Sequence, residues 1–319
     1  MTRLKIAFFG APQFAASVLH HIMDDVDIPV DVCCVVTQPD RPAGRKQVMT
    51  PTPVKLLAET YKVPCYTELD SPKLHEILKG CDLVLLYAFG AILPQSILQL
   101  PRWGFWNIHP SLLPKYRNTS PIAYSLLLGD TVTGVSLIEI DEKLDHGPLI
   151  DQESYQIQDT DTRTSLENRL SEIGYKLFKK NVQLWIDGLL KKEEQNHQQR
   201  TYSRLLTKKD GFIPFVIFKK IINGESIGTD EIPPILGEYL KKYNLPRDGY
   251  ANLKSYYLLF RALTPWPGVW TLIPMNGVEK RLKIVDMIMK GNKPIITKVQ
   301  LEGKNIVSFK QFNDYLRIV

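Results

Sequence analysis

Apolar residues in the first half of this chain fall in short blocks, and each block is followed by a stretch of helical periodicity. Leu4 to Phe9 is apolar apart from Lys5 and reads as a buried strand. Gly10-Ala11-Pro12-Gln13-Phe14 reads as the turn into a helix over about Ala15–Met23. Asp31 to Thr37, β-branched and apolar, is the next strand, and residues 54–61 are helical in pattern. A short strand is expected at Val63-Pro64-Cys65-Tyr66, then a helix from Ser71 to Leu78 whose Ser71-Pro72 supplies a cap followed by proline at the first helical position. Leu83-Val84-Leu85-Leu86-Tyr87-Ala88 is the continuous apolar run of a central parallel strand, and Gly134 to Ile140 is another strand. Thr164-x-x-Glu167 reads as a capping box opening a long helix, with Leu166, Leu170, Ile173, Leu177 and Leu184 on one face until about Gly188. Strand, glycine turn and helix in succession predict a doubly wound α/β domain with a Rossmann-like, mostly parallel sheet. The turn at Gly10 lacks the second and third glycines of a dinucleotide fingerprint, which argues against NAD or FAD there.

The pattern changes after that helix. Residues 191–200, Lys-Lys-Glu-Glu-Gln-Asn-His-Gln-Gln-Arg, have the composition of a linker. From about Val269 short alternating strands are separated by turns at Asn276-Gly277, Gly291-Asn292 and Gly303-Lys304, the pattern of a small antiparallel barrel. The expected division is a first domain over 1–190, a linker over 191–207 and a second domain over 208–319.

A chain of 319 residues is long enough for two domains with separate cores. Its 44% hydrophobic and 23% charged content is that of an ordinary globular protein. No apolar run approaches the roughly 18 residues needed to span a bilayer, and the opening apolar stretch is stopped by Gly10, Pro12 and Gln13, so neither a membrane span nor a signal peptide is expected. Cys33, Cys34, Cys65 and Cys81 show neither metal nor disulfide spacing and read as thiols in a reducing cytoplasm. Charge divides unevenly. Residues 201–319 hold 19 Lys+Arg against 10 Asp+Glu, a net of +9, while 1–200 hold 21 against 24, a net of −3. A basic second part joined to a near-neutral first part points to a polyanionic partner.

The candidate chemistry lies in Asn107-Ile108-His109-Pro110-Ser111-Leu112-Leu113-Pro114 and in the acidic loop Ile140 to Pro148. Asn107 and His109 are two apart, so in an extended segment their side chains leave the same face. Asp145 lies in a turn-rich loop with Asp141 and Glu142. An amide that polarises a carbonyl, an imidazole that moves a proton and a carboxylate that orients it form a set suited to acyl transfer. Nothing in the sequence gathers a metal-ligand cluster.

This stretch, followed by Ser120-Pro121-Ile122, Gly129-Asp130, Thr133-Gly134-Val135 and Leu144-Asp145-x-Gly147, resembles the folate-dependent formyltransferases with spacing intact over about forty residues. The resemblance implies 10-formyltetrahydrofolate as formyl donor and Asn107, His109 and Asp145 as the catalytic set. It also implies donor contacts from Ser111, Leu112, Leu113 and Pro114, and from Phe89, Gly90, Ile92 and Leu93 beyond the central strand. Gln38-Pro39-Asp40-Arg41-Pro42-Ala43-Gly44-Arg45 is similar to the loop that methionyl-tRNA formyltransferases use against the tRNA acceptor end. Arg41, Arg45 and Lys46 would then meet the tRNA of an initiator methionyl-tRNA. From its four prolines and a glycine, 37–55 reads as a long irregular loop. Two departures from the family pattern stand out. Lys46-Gln47 follows Arg45 where a further glycine and lysine are usual, and Asn118 follows Arg117 where glycine is usual; asparagine tolerates left-handed backbone.

Arg261-Ala262-x-Thr264-Pro265-Trp266-Pro267 resembles the signature of those enzymes' OB-like C-terminal domain, with Trp266 read as a core residue and 224–249 as an insertion. A monomer in the cytoplasm is the expected form. Two other readings stand beside this one: an amino-sugar N-formyltransferase using the same folate donor, and a non-catalytic RNA-binding protein on the same scaffold.

Overall fold

The computed structural model describes residues 3–44, 47–275 and 277–316. The chain forms two compact units: Met1–Pro121, Val132–Gln156 and Glu167–Ser203 in the first, and Ile122–Thr131, Ile157–Leu166 and Arg204–Val319 in the second. In chain order the elements begin with β1 (Leu4–Gly10), α1 (Gln13–Asp24), β2 (Val30–Val36), β3 (Arg41–Ala43), β4 (Val48–Thr50), α2 (Pro53–Thr60), β5 (Cys65–Tyr66) and α3 (Pro72–Lys79). They continue with β6 (Leu83–Tyr87), α4 (Gln95–Leu98), β7 (Phe105–His109), α5 (Pro121–Leu127), β8 (Val132–Glu139), β9 (Leu149–Gln156) and α6 (Arg163–Ile186). The remainder holds α7 (Phe215–Asn223), α8 (Pro234–Lys242), α9 (Lys254–Leu263), β10 (Val269–Met275), β11 (Val278–Lys290), β12 (Lys293–Leu301), β13 (Ile306–Ser308) and α10 (Phe309–Leu316).

The first unit is built on a seven-stranded sheet in the order β5-β2-β1-β6-β7-β8-β9. The strands from β5 to β7 pair in parallel, while β8 and β9 add antiparallel at the other edge. This is the α/β class expected from the apolar runs. The chain winds from β1 outward to β2 and β5, then crosses to β6 on the opposite side of β1, and such a reversal opens a crevice beyond the carboxyl ends of the strands. Gly10 closes β1 there. A Cβ at that position would lie 2.9 Å from the Tyr87 carbonyl oxygen, so only glycine lets the ends of β1 and β6 approach so closely.

Alternation along β7 decides which side chains reach the site. Trp106 and Ile108 turn to α6, where Trp106 meets Phe178 and Trp185 edge-on at 6.3 and 5.7 Å. Ile108 packs on Gly174, whose missing side chain leaves the room it needs. Asn107 and His109 therefore leave the opposite face, as period-two alternation requires. Helix α6 is capped two residues earlier than expected: Thr162 and Ser165 exchange backbone-to-hydroxyl bonds at 3.0 and 3.3 Å, and Thr164 lies inside the first turn. A serine hydroxyl here takes the role that the sequence pattern assigned to Glu167.

Residues 37–55 are less irregular than their prolines imply. Arg41–Ala43 pairs with Val48–Thr50 as an isolated antiparallel ribbon, in which Pro42 interrupts no second neighbour. Arg41 is exposed on it; Arg45 and Lys46 lie outside the described residues. Residues 191–203, expected as linker, belong to the first unit, where Glu193 and Leu149 exchange backbone bonds at 2.7 and 2.8 Å.

In the second unit the expected small antiparallel β domain is the meander β10-β11-β12-β13, with α7, α9 and α10 packed on it. Gly277, Gly291 and Gly303 take positive φ at its turns, while Asn276 lies outside the described residues. Residues 224–249 carry α8, which buries Ile235, Leu236, Tyr239 and Leu240. Arg261 is buried and spends its guanidinium on the carbonyls of Asp161 and Gln158, at 2.6 and 2.7 Å. Trp266, expected in the core, is 48% exposed: Pro265 and Pro267 hold it in the turn between α9 and β10. Trp270 is the packed tryptophan instead, against Phe212 at 4.8 Å and under the Arg281 guanidinium at 4.5 Å. All four cysteines are free thiols. Among the described residues no helix is long and apolar enough to cross a membrane.

Candidate active site

Strand β7 ends at His109, and the loop 140–148 brings Asp145 to it. Asp145 sits at φ +49°, a left-handed backbone that an L side chain adopts only when its surroundings hold it there. Two residues on, Gly147 admits no side chain, because a Cβ would stand 2.0 Å from the Glu139 carbonyl oxygen. The Asp145 carboxylate is the meeting point. Its Oδ1 accepts from Asn107 Nδ2 at 3.3 Å and lies 3.6 Å from His109 Nδ1, and its Oδ2 accepts the Asn118 backbone N–H at 2.7 Å. Asn107 and His109 are 8% and 4% exposed, and the Asp145 side chain 9%, so the three groups share a nearly water-free corner. Structure thus brings the expected catalytic trio together.

The imidazole is fixed from its other side. His109 Nε2 lies 3.0 Å from the Tyr116 carbonyl, which can only accept, so Nε2 carries a proton and Nδ1 is the nitrogen turned to Asp145. Asn107 has two N–H groups; with one spent on Asp145, the second can donate elsewhere. Tyr116 and Asn118 both take positive φ, +58° and +83°, in a turn that presents the carbonyl of one and the N–H of the other to the site. The asparagine in place of the usual glycine holds the left-handed backbone expected of it. Residues 201–203 pin this turn: Arg117 N–H donates to the Thr201 carbonyl and Ser203 N–H to the Arg117 carbonyl, each at 2.9 Å.

The residues expected to touch the donor divide into two kinds. Ser111 is buried and donates its hydroxyl to the Lys115 carbonyl at 2.6 Å, so it shapes the loop from within. Leu113 is buried too, with its N–H donated to Ser136 Oγ at 2.9 Å and its carbonyl accepting from Gln152 Nε2 at 3.0 Å. Leu112 lies over Gly134, and Pro114 is partly exposed. The Phe89 ring packs on Phe9 at 5.3 Å in the core, and its carbonyl accepts from Gln38 Nε2 at 3.1 Å, so Phe89 is buried as a whole. Gly90 has open space around it at φ +80°, Leu93 is half-buried on the core, and Ile92 is 89% exposed. The open part of this segment is therefore Gly90 and Ile92.

Sequence reasoning missed the groups behind Asp145. Gln195 Nε2 donates to the carbonyls of Asp145 and Gly147 at 3.0 and 2.7 Å, and its Oε1 accepts from Arg117 Nη2 at 2.6 Å. Arg117 Nη2 also donates to His197 Nδ1 at 2.8 Å. The His197 ring stacks on His146 at 4.0 Å with 9° between the planes, and His146 Nδ1 is 2.6 Å from Asp141 Oδ2. The only hint in the chain is the run 195–199, polar enough to look like linker. Among the described residues no three His, Cys, Asp or Glu side chains gather as a metal-binding group.

An amide donor, an oriented imidazole and a buried carboxylate beyond a parallel strand form the equipment of a group-transfer site. Residues 4–182, more than half of the chain, match the family model described as formyl transferase, and the chain belongs to that family. It is 40% identical over 204 residues to the methionyl-tRNA formyltransferase of Bacillus thuringiensis subsp. konkukian, covering 63% of this chain and 64% of that protein. The methionyl-tRNA formyltransferase of Bacillus anthracis (strain CDC 684 / NRRL 3495) matches to the same extent, 40% over 204 residues. The chain thus spans slightly less than two thirds of the curated relatives it matches. Among solved structures, a 4-N formyltransferase from Francisella tularensis superposes with a TM-score of 0.57 at 16% identity, over 88% of this chain and 96% of that one. The sugar 3N-formyl transferase WlaRD, solved with dTDP and 5-N-formyl-THF, gives 0.56 at 17%, over 95% and 99%. At such identities the two superpositions establish the fold.

His197 accepts from an arginine, which can only donate, so its Nδ1 must be unprotonated. Burial, then His146 and Arg117, lower its pKa below the ordinary histidine value, with Glu194 opposing and Arg200 assisting. In the unfolded chain this ring takes up a proton as pH falls through about 6.5, whereas the folded ring resists until lower pH. Its contribution to stability is therefore complete above that pH and declines below it. His197→Asn, which keeps an acceptor for Arg117 without a titrating ring, is expected to lose less melting temperature than the parent between pH 7.5 and 5.5, as read by thermal unfolding.

Proposed function

We propose that this chain transfers the formyl group of 10-formyltetrahydrofolate to the α-amine of methionyl-initiator-tRNA, giving N-formylmethionyl-tRNA for translation initiation. The observation that carries the reading is the convergence of Asn107 and His109 on the Asp145 carboxylate in a chain of this family. The relatives named methionyl-tRNA formyltransferase support the acceptor. So do the exposed Arg41 on its ribbon and the net +9 of residues 201–319.

In the reaction the neutral amine attacks the formyl carbon, forming a C–N bond and placing negative charge on the formyl oxygen. The free N–H of Asn107 donates to that oxyanion. His109, held by the Tyr116 carbonyl and the Asp145 carboxylate, assists transfer of the proton that the amine loses to N10 of the folate as the C–N10 bond breaks. Asp145 holds the imidazole in register while this occurs. Gly90 lets the donor come close to backbone, and Ile92, Leu112 and Pro114 supply apolar surface. Arg41, Arg45 and Lys46 meet tRNA phosphates. The cytoplasm as compartment and a monomer as working form go with this reading.

Transfer of labelled formyl from 10-formyltetrahydrofolate is expected to charged initiator Met-tRNA, with elongator Met-tRNA a poor acceptor. Transfer to an amino-sugar nucleotide but to neither tRNA would overturn the acceptor assignment. Losing an oxyanion donor typically lowers the rate by about 100- to 1,000-fold. Asn107→Ala and Asp145→Ala are each expected to lose at least that order of turnover with the fold intact by circular dichroism. Near-parent rates in either would remove the site. Because phosphate contacts release counterions, tRNA affinity measured by filter binding is expected to fall steeply between 50 and 200 mM salt. A flat salt dependence would count against the basic surfaces.

A further inference from the structure

The groups behind Asp145 form a fastening that the transfer chemistry above does not use. Gln195 is 4% exposed within a segment otherwise rich in exposed polar residues, and Arg117 is 1% exposed. The orientation of the Gln195 amide is fixed by chemistry. The carbonyls of Asp145 and Gly147 can only accept and the Arg117 guanidinium can only donate, so Nε2 must face the first two and Oε1 the third. These two carbonyls bracket His146, whose ring is stacked on His197. Loop residues 145–147 are thereby tied to residues 195–197 at backbone and ring together.

We infer that Gln195, braced by Arg117, is a positioning residue that aims the Asp145 carboxylate at Asn107 and His109. This rests on the proposed role of Asp145. Asn118 N–H fixes one carboxylate oxygen, and Gln195 fixes the main chain of the same residue in its left-handed conformation. With both ends anchored, the second oxygen is left directed at the amide and the imidazole. A carboxylate that could swing would still bind protons but would no longer hold the imidazole in register, and a small misplacement of a catalytic group is costly in rate. Gln195 touches no reacting atom; it acts through Asp145.

Gln195→Glu is the informative substitution. It preserves shape and the partner for Arg117, but it presents an acceptor where two carbonyls need a donor. In formyl transfer with the full chain, kcat is expected to fall by at least ~10-fold while KM for tRNA and for the folate donor stay within about twofold, since transition-state and not ground-state interactions are lost. The melting temperature is expected to fall, because two buried carbonyls lose their donor, while the fold is retained by circular dichroism. In an Asp145→Ala background, measured in single turnover, the same substitution is expected to cost less than about twofold further, because residues acting as a unit are not additive. Gln195→Met, which lacks both amide functions but adds no charge, carries the same cycle if the glutamate variant does not fold. Parent-like kcat in the folded variant, or a loss undiminished in the Asp145→Ala background, would overturn the inference. Parent-like turnover in Asp145→Ala alone would instead overturn the reading of the site on which the inference rests.

Discussion

A buried carboxylate needs partners for its charge, and in this protein the partners of Asp145 are the site itself. Asn107 comes from a strand, the Asn118 N–H from a left-handed turn, and His109 from the end of the same strand as Asn107. Removing a buried charge's partners leaves a desolvation cost unmet, so the carboxylate and its neighbours hold one another in place. The same contacts serve chemistry and local order at once. That coupling explains why so much of the surrounding backbone is unusual, with Tyr116, Asn118 and Asp145 all at positive φ within a single small volume.

The frame that makes this possible is the parallel sheet. Strand β7 is central enough to be paired on both sides, with β6 and β8, so Asn107 and His109 project from backbone that has little freedom to move. Its other face is filled by Trp106 and Ile108 beneath α6, which fixes the rotation of the strand about its own axis. The strand order reverses at β1 and β6, the arrangement in which open α/β sheets bind ligands beyond the strand ends, and Gly90 and Ile92 stand open in the segment after β6. Loops then add what a sheet cannot supply: a carbonyl and an N–H aimed inward from the 116–118 turn, held by the strand-like pairing of Arg117 with Tyr202.

Much of this was legible in the chain because period and composition act locally. Apolar runs at 4–9 and 83–88 bury on both faces and could hardly be anything but inner strands, and the spacing of Asn107 and His109 gave their common face directly. Backbone contributions were not legible: the Tyr116 carbonyl and the Asn118 N–H are present in any sequence, and only folding aims them. Gln195 was hidden by its neighbours, since a polar run reads as solvent-loving even when one member is buried with every polar atom used. The Thr162–Ser165 cap was displaced because a serine hydroxyl can do what the pattern reserves for a glutamate. The ribbon at 41–50 escaped because prolines argue against strands, although an isolated two-stranded ribbon tolerates one. Trp266 was misjudged because the prolines around it dictate a turn more strongly than its ring dictates burial.

Nitrogen-15 NMR of His109 in the uniformly labelled protein tests the central geometry most directly. The account predicts a proton on Nε2 at neutral pH, donated to the Tyr116 carbonyl, with Nδ1 as the nitrogen that senses replacement of Asp145 by alanine. A ring protonated on Nδ1 alone, with Nε2 bare and no response to loss of Asp145, would contradict it.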